Sequence, residues 1–184
     1  MKRISLAFAV MASIVCCSCG DGTKPNPENR TYENAYSSSS TVTATEADDP
    51  YLENKLQTGA IPYNNKTCEG DKSKISVLTS ANSECDIVVI IKRDNDIVRN
   101  VYIKAGDSYE LSVPNGTYQV FFCGGKGWNP QKKMAGGHVG GFVANESYSK
   151  DSSVTLNYEG VIYELIPQRN GNFSTEQSSA SEIF

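Results

Sequence analysis

The feature that most restricts the fold is a series of short apolar runs separated by turn residues in the second half of the chain. The run DIVVIIK (86–92) has apolar residues on both faces of an extended chain, which predicts a central strand covered on both sides. The runs IVRNVYIK (97–104), YELSV (109–113) and TYQVFFC (117–123) alternate apolar with polar residues, which is the period of a half-buried strand. No window of eleven or more residues has a convincing helical period, so we expect an all-β domain.

Turn residues between these runs predict three hairpins. DND (94–96) separates the first two runs. PNG (114–116) separates the next two, because Pro presets φ and Asn-Gly accepts a positive φ. The third pair is VTLNY (154–158) with VIYELIP (161–167), joined around a Glu-Gly turn.

With KISVLTS (74–80) and the short NFS (172–174), the chain has seven or eight short strands and little helix. This pattern predicts an antiparallel β-sandwich, immunoglobulin-like or transthyretin-like, with a barrel as the alternative. Within the second run, Ile97, Val101 and Ile103 are expected to point inward together.

The N-terminus predicts export and lipidation. Lys2 and Arg3 precede twelve uncharged, mostly apolar residues (4–15), too few to span a membrane, which takes about 20, but typical of a signal peptide. The CCSC that follows resembles a lipobox, and because Ser18 is small we expect cleavage before Cys19 and acylation of Cys19. The alternatives are acylation at Cys17 and an ordinary cleaved signal without lipid. Two or more acyl chains hold a protein stably on a membrane.

Composition divides the chain into a signal peptide (1–18), a flexible tether (19–55) and a β-sandwich domain (56–184). The tether is rich in Pro, Ser and Thr, and its few apolar residues show no period, so it cannot offset its ordering entropy by burial. The whole chain has 17 basic and 21 acidic residues, a net charge of −4. No basic surface is expected, and nucleic acid is therefore not an expected partner.

Three cysteines remain after the predicted anchor: Cys68, Cys85 and Cys123. Export would place them in an oxidising compartment, where disulfides persist. An odd number allows at most one bridge within the chain, and the sequence favours neither a particular pair nor a bridge over three free thiols.

No motif predicts catalysis, a cofactor or a metal site. The single histidine, His138, lies in GGHVGG, and we expect an exposed loop side chain rather than a base or a ligand. Lys126 lies in a glycine-rich segment, but Trp128 and Pro130 follow where a phosphate loop would open a helix. We therefore expect a protein that is not an enzyme and holds no cofactor or metal.

The best binding candidate is the long glycine-rich connection expected from Gly124 to Gly141. Trp128, Phe142 and Tyr148 lie in or just after it, with Lys126 nearby, and these four are the predicted ligand-binding residues. Aromatic side chains at the rim of a sandwich stack on sugars or bind a partner protein. The alternative is that Trp128 folds back over the sandwich and that the lysines are a solvated face.

Part of the chain resembles a known group of bacterial proteins. The string VIIKRDNDIVRNVYIKAGDSYELSVPNGTYQVFF, then GKGWNP, GGFVANES, YELIPQRNGNFST and SSASEIF, resembles a domain of an uncharacterised Bacteroides-type predicted lipoprotein family. The resemblance covers about residues 74–184. It implies an extracytoplasmic location and supplies no activity and no catalytic residue. IKAGDSYELSVPNGTYQVFF also resembles, more loosely, transthyretin-like and carboxypeptidase-regulatory-like sandwiches, which implies a structural or binding unit.

Together these observations predict a lipid-anchored protein of the cell envelope, on the periplasmic or surface face of the outer membrane. Its sandwich is expected to be a non-catalytic binding or accessory module that contacts a glycan or another envelope protein. A small extracytoplasmic hydrolase and a purely structural envelope component are the alternatives. The exposure of Trp128 bears on this choice, because a Trp buried beneath the sheet edge would offer no ring for stacking.

Overall fold

The computed structural model describes residues 49–66, 70, 72–167 and 176–184, together with the backbone of residues 2–8. The predicted lipidation site Cys19, most of the predicted tether, Cys68 and the predicted strand 172–174 lie outside these residues. In the described part of the chain, no helix has the length and apolar character needed to cross a membrane.

The strands form two sheets that pack face to face, which confirms the predicted all-β sandwich. The small sheet has the order β1 (Lys2–Phe8), β9 (Gly160–Pro167), β2 (Ser73–Thr79) and β5 (Ser108–Val113). The large sheet has the order β10 (Glu176–Gln177), β7 (Val139–Lys150), β6 (Gly116–Lys133), β3 (Asp86–Arg93) and β4 (Asp96–Ile103), and β8 (Val154–Leu156) pairs with the start of β6. A 3₁₀ turn (Ala135–Gly137) and a four-residue helix, α1 (Ala180–Ile183), complete the described elements.

Strand pairing differs from the prediction at two of the three turns. The hairpin of β3 and β4 is present. The PNG turn instead carries the chain from β5 in the small sheet to β6 in the large sheet, and β8 and β9 also lie in different sheets. β9 pairs with β2 in parallel, so the small sheet is mixed. The predictions of the second and third hairpins were wrong because a tight turn fits a crossover between sheets as well as a hairpin within one.

Apolar side chains between the two sheets form an inner core. Phe122 of β6 meets Tyr163 of β9 there, with ring centroids 5.3 Å apart. Each fully buried apolar side chain of this kind stabilises the fold by about 1.5–3 kcal/mol. The prediction for β4 was wrong at Ile97: a register shift in the β3–β4 ladder places Val98 with Val101 in the inner core and turns Ile97 to the opposite face.

The outer face of the large sheet is covered as well. Residues 49–66, which we call the strap, and residues 178–184 lie over it and complete an outer core. β3 is therefore buried on both faces, as predicted. Residues 49–55, expected in the tether, belong to the folded domain, because the Trp128 N–H donates to the Asn54 carbonyl at 2.7 Å.

The glycine-rich segment 124–141 is not a loop. β6 runs for 18 residues through its first part, and β7 returns beside it as an antiparallel hairpin. Gly127 has φ of +66°, and a Cβ there would lie 2.6 Å from Leu52 Cα in the strap. Glycine is thus required where the strap crosses β6, and the partner strand β7 keeps this part of the chain extended.

Hydrogen bonds attach the strap to the edge of β4. The side chain of Asn100 is buried; its Oδ1 accepts the Tyr63 N–H at 3.0 Å and its Nδ2 donates to the Tyr63 carbonyl at 2.8 Å. The backbone of Tyr102 bonds to Gly59 and Ala60 of the strap at 2.9 and 2.8 Å. The strap therefore covers an edge that would otherwise expose unpaired backbone groups.

A buried carboxylate makes the second attachment. Asp86, 1 % exposed, accepts the Tyr102 hydroxyl at 2.6 Å and the Ala105 N–H at 2.9 Å. Lys55 of the strap pairs with it at 3.3 Å. Burial, and then the hydrogen bond to Asp86, raise the pKa of Tyr102, so this phenol stays protonated and keeps donating its proton to the carboxylate.

We expect Asn100→Ala to lower the free energy of unfolding by about 2–3 kcal/mol, because the N–H and carbonyl of Tyr63 lose their partners inside the fold. Urea denaturation followed by circular dichroism measures this. Asn82→Ala is the matched control: Asn82 is exposed, and its replacement should change stability by less than about 0.5 kcal/mol. Equal urea midpoints for the two variants would contradict the attachment.

Candidate functional site

The strap and the β6–β7 hairpin line an open pocket of about 260 Å³. Its lining consists of four strap residues and four hairpin residues: Leu56, Ala60, Ile61, Pro62, Trp128, Pro130, Val139 and Gly140. Ile61 and Val139 are 62 % and 52 % exposed and lie at the rim. The volume is below the range of about 300–1,000 Å³ typical of sites for drug-sized ligands, and suits one or two side chains.

Aromatic side chains hold Trp128 in place. Its ring lies 5.4 Å from that of Phe142, its neighbour across the β6–β7 ladder, and 5.7 Å from that of Tyr102, both nearly edge to face. Tyr63 of the strap lies 6.3 Å from the same ring. Each such pair contributes about 0.5–1.5 kcal/mol beyond area burial, so the indole is a rigid part of the pocket.

The predicted aromatic ligand-binding residues do not form an exposed platform. Trp128 and Phe142 are 3 % and 2 % exposed, and Tyr148 is half-buried against the same outer core. Burial, together with nearby Glu146, raises the pKa of Tyr148, so this phenol is not an acid–base group near neutral pH. Of the three, Trp128 alone lines the pocket, and it packs inward, as in the alternative considered above.

Lys126, the fourth predicted ligand-binding residue, already has an anionic partner. Its Nζ lies 2.7 Å from Glu84 Oε2 at the surface. The hydrogen bond to Glu84 raises the pKa of Lys126, and the same bond lowers the pKa of Glu84. The ammonium is therefore not an unpaired cation that awaits a ligand.

His138 is half-buried rather than exposed, which corrects the prediction. Its imidazole lies 5.5 Å from the Tyr63 ring and 5.3 Å from the Phe184 ring, and its carbonyl accepts the Met134 N–H at the end of the hairpin. Within the described residues, no group of three or more His, Cys, Asp or Glu side chains is placed to hold a metal ion.

The two described cysteines, Cys85 and Cys123, are free thiols. Burial raises the pKa of both, most strongly that of Cys123, which lies in the outer core. A thiol with a raised pKa is a poor nucleophile, because the thiolate is the reactive form. Neither cysteine has the environment of a catalytic residue.

Sequence reasoning missed the rim residues. Ile61 lies between Ala60 and Pro62, and Val139 lies among glycines, so neither belongs to a periodic apolar run. The available signal was the apolar segment IPY (61–63), which lies near the start of the predicted domain and outside every predicted strand.

A comparison of the chain with known protein families, curated proteins and solved structures finds no match. The pocket is therefore interpreted from its own geometry.

We expect Gly140→Ala to be more destabilising than Gly137→Ala. Both glycines have positive φ, +105° and +78°, so the strain of placing an L-residue there is common to both. A Cβ at Gly140 would lie 2.8 Å from Trp128 Cζ2, whereas nothing lies within 4 Å at Gly137. This overlap should lower the free energy of unfolding of Gly140→Ala by about 1–3 kcal/mol more than that of Gly137→Ala.

Trp128 is the single tryptophan, so its fluorescence reports on the pocket directly. Gly140→Ala should shift its emission in the folded protein, and Gly137→Ala should leave the emission as in wild type. Equal stability loss and unchanged emission in both variants would show that the ring does not contact Gly140.

Proposed function

We propose that this protein is a lipid-anchored component of a bacterial cell envelope whose sandwich binds a partner protein through the apolar pocket at Trp128. The observation that carries the proposal is the pocket itself, with a rigid indole inside it and Ile61 and Val139 exposed at its rim. A small concave site with exposed aliphatic side chains suits an apolar side chain of a partner, the usual centre of a binding hot spot.

The side chains of the lining favour a protein over a glycan, because none of them carries a hydroxyl, an amide or a charge. Sugar hydroxyls need polar partners, and an unmade hydrogen bond in a desolvated site is costly. The hydroxyl of Tyr63, beside the pocket, already donates to the Gly140 carbonyl at 2.9 Å. The indole of Trp128 is held by the surrounding rings and offers no free face for stacking.

The lipid anchor in this proposal is supported by the N-terminal pattern. A basic start, twelve uncharged residues and a closing cysteine together fit an exported lipoprotein. Anchoring would hold the domain at a membrane surface, where even a weak protein contact benefits from high local concentration.

The pocket is tested by site-specific photo-crosslinking in cells. A photoreactive phenylalanine analogue at Val139 should give a discrete adduct with one envelope protein. Adding Ile61→Asp should lower the yield at least about tenfold, because a charge at the rim must be desolvated on binding. The same analogue at Leu78, 38 % exposed on the small sheet, should give no such adduct. An adduct from both positions, or one that Ile61→Asp leaves unchanged, would contradict the proposal.

The anchor is tested separately. Cys19→Ser should abolish incorporation of labelled fatty acid and move the protein from the membrane to the soluble fraction, since the acylated side chain is lost. Cys17→Ser is the matched control and should remain acylated. The opposite pattern would place the anchor at Cys17, and acylation of neither protein would rule out lipidation.

A further inference from the structure

The edge of β9 is filled by a segment that processing would remove. β1 pairs with β9 in parallel over seven residues, from Lys2 opposite Val161 to Phe8 opposite Pro167. All of β1 lies within residues 1–18, the predicted signal peptide. In a processed chain β9 becomes the last of the described strands of the small sheet, and the backbone groups on its outer side lose their pairing with β1.

Two other edges of the described sheets carry contacts from neighbouring segments. The strap lies along β4, and its Lys66 N–H donates to the Ile97 carbonyl at 2.7 Å. At the opposite end of the small sheet, the Arg99 guanidinium reaches β5 and donates from Nε to the Ser112 carbonyl at 3.0 Å. Among the described strands, β1 alone pairs with the outer side of β9.

β9 also lacks the features that protect natural edges. It is eight residues long, it pairs with β2 without a register shift, and its only proline is its last residue. Val161, Tyr163 and Leu165 are buried in the inner core, while Ile166 is 51 % exposed. A long, regular and largely apolar edge is a template for an added strand.

The register of β1 indicates which strand this edge accepts. Ile4 is paired with Tyr163 and Leu6 with Leu165, so two apolar residues of β1 are in register with residues of β9 that lie in the inner core. Two copies joined through this edge by a two-fold axis would pair β9 with β9 antiparallel. The strand on this edge is parallel, which favours a different donor.

We propose that the β9 edge of the processed protein accepts an extended segment of another envelope protein, which adds in parallel and places apolar side chains at every second position. Main-chain hydrogen bonds supply affinity in this mode of recognition, and the alternate side chains supply specificity. The site lies in the small sheet, away from the Trp128 pocket in the outer layer. It rests on the proposed function in one respect, the removal of the signal peptide.

The test uses the processed protein isolated from membranes, with mass spectrometry reporting its first residue. The probe is the synthetic peptide KRISLAF, residues 2–8. We expect it to slow amide hydrogen exchange of residues 161–166 at least about tenfold. Exchange in the Val139→Asp variant should slow equally, because that residue lines the other site.

Two control peptides carry a methyl group on the backbone nitrogen of Ser5 or of Leu6, which keeps both side chains. Successive N–H groups point to opposite sides of a strand, so one methyl group removes a donor that faces β9 and the other removes one that faces solvent. One control should therefore bind at least about tenfold more weakly than the other. Equal binding of both would show apolar adhesion rather than strand addition, and would overturn the proposal.

Other results would also overturn it. These are unchanged exchange in β9 with KRISLAF, a membrane-isolated protein that still carries residues 2–8, and a dimer whose β9 amides are protected before peptide is added. A protein without the leader but also without acylation at Cys19 or Cys17 would refute only the lipid anchor, because the edge would still be vacant.

Discussion

Burial of β3 on both faces is the constraint on which the rest of the domain depends. Its side chains point alternately inward, as Val89 does, and outward, as Val88 and Ile90 do, and all three are fully buried. The small sheet covers only the inner face. Exposing each outward side chain would cost about 1.5–3 kcal/mol, so the large sheet needs a second cover on its other side. The strap and the C-terminal residues supply that cover.

A cover without regular secondary structure must satisfy its backbone groups by other means. The strap does so at the edge of β4 and through Asn100 and Asp86, which explains why two polar side chains are buried beside an aromatic core. At the other end, Lys92 donates to the carbonyls of Glu182 and Ile183 at 3.2 Å each. These buried or bridging polar groups therefore belong to the packing of the outer layer.

The difference between the regular inner core and the irregular outer layer explains what could be predicted from the sequence. A run that is apolar on both faces predicted β3, and alternation predicted the strands β5 and β6, because burial of a face leaves a local pattern. The expected core face of β5 was wrong at Tyr109, which is 37 % exposed. The alternation did not predict which sheet each strand joins, since the PNG turn suits a hairpin and a crossover equally. It also did not predict the register shift that turns the Ile97 side chain to the outer face of the large sheet. The sequence singled out Trp128 as an aromatic residue of the site. It did not predict that Trp128 is buried, because much of the strap that covers this residue has the composition of a linker.

The irregular outer layer also accounts for the pocket. A strap held at β4 and at Trp128 does not fill the space between these attachments as a regular element would, and the pocket lies where the strap passes the β6–β7 hairpin. In the small sheet, β1 is the one described strand that pairs with the outer side of β9. The pocket presents apolar side chains, whereas the β9 edge, once β1 is removed as proposed, would present backbone hydrogen-bonding groups. Because they belong to different layers, a partner that inserts a side chain into the pocket would leave the β9 edge available for a strand.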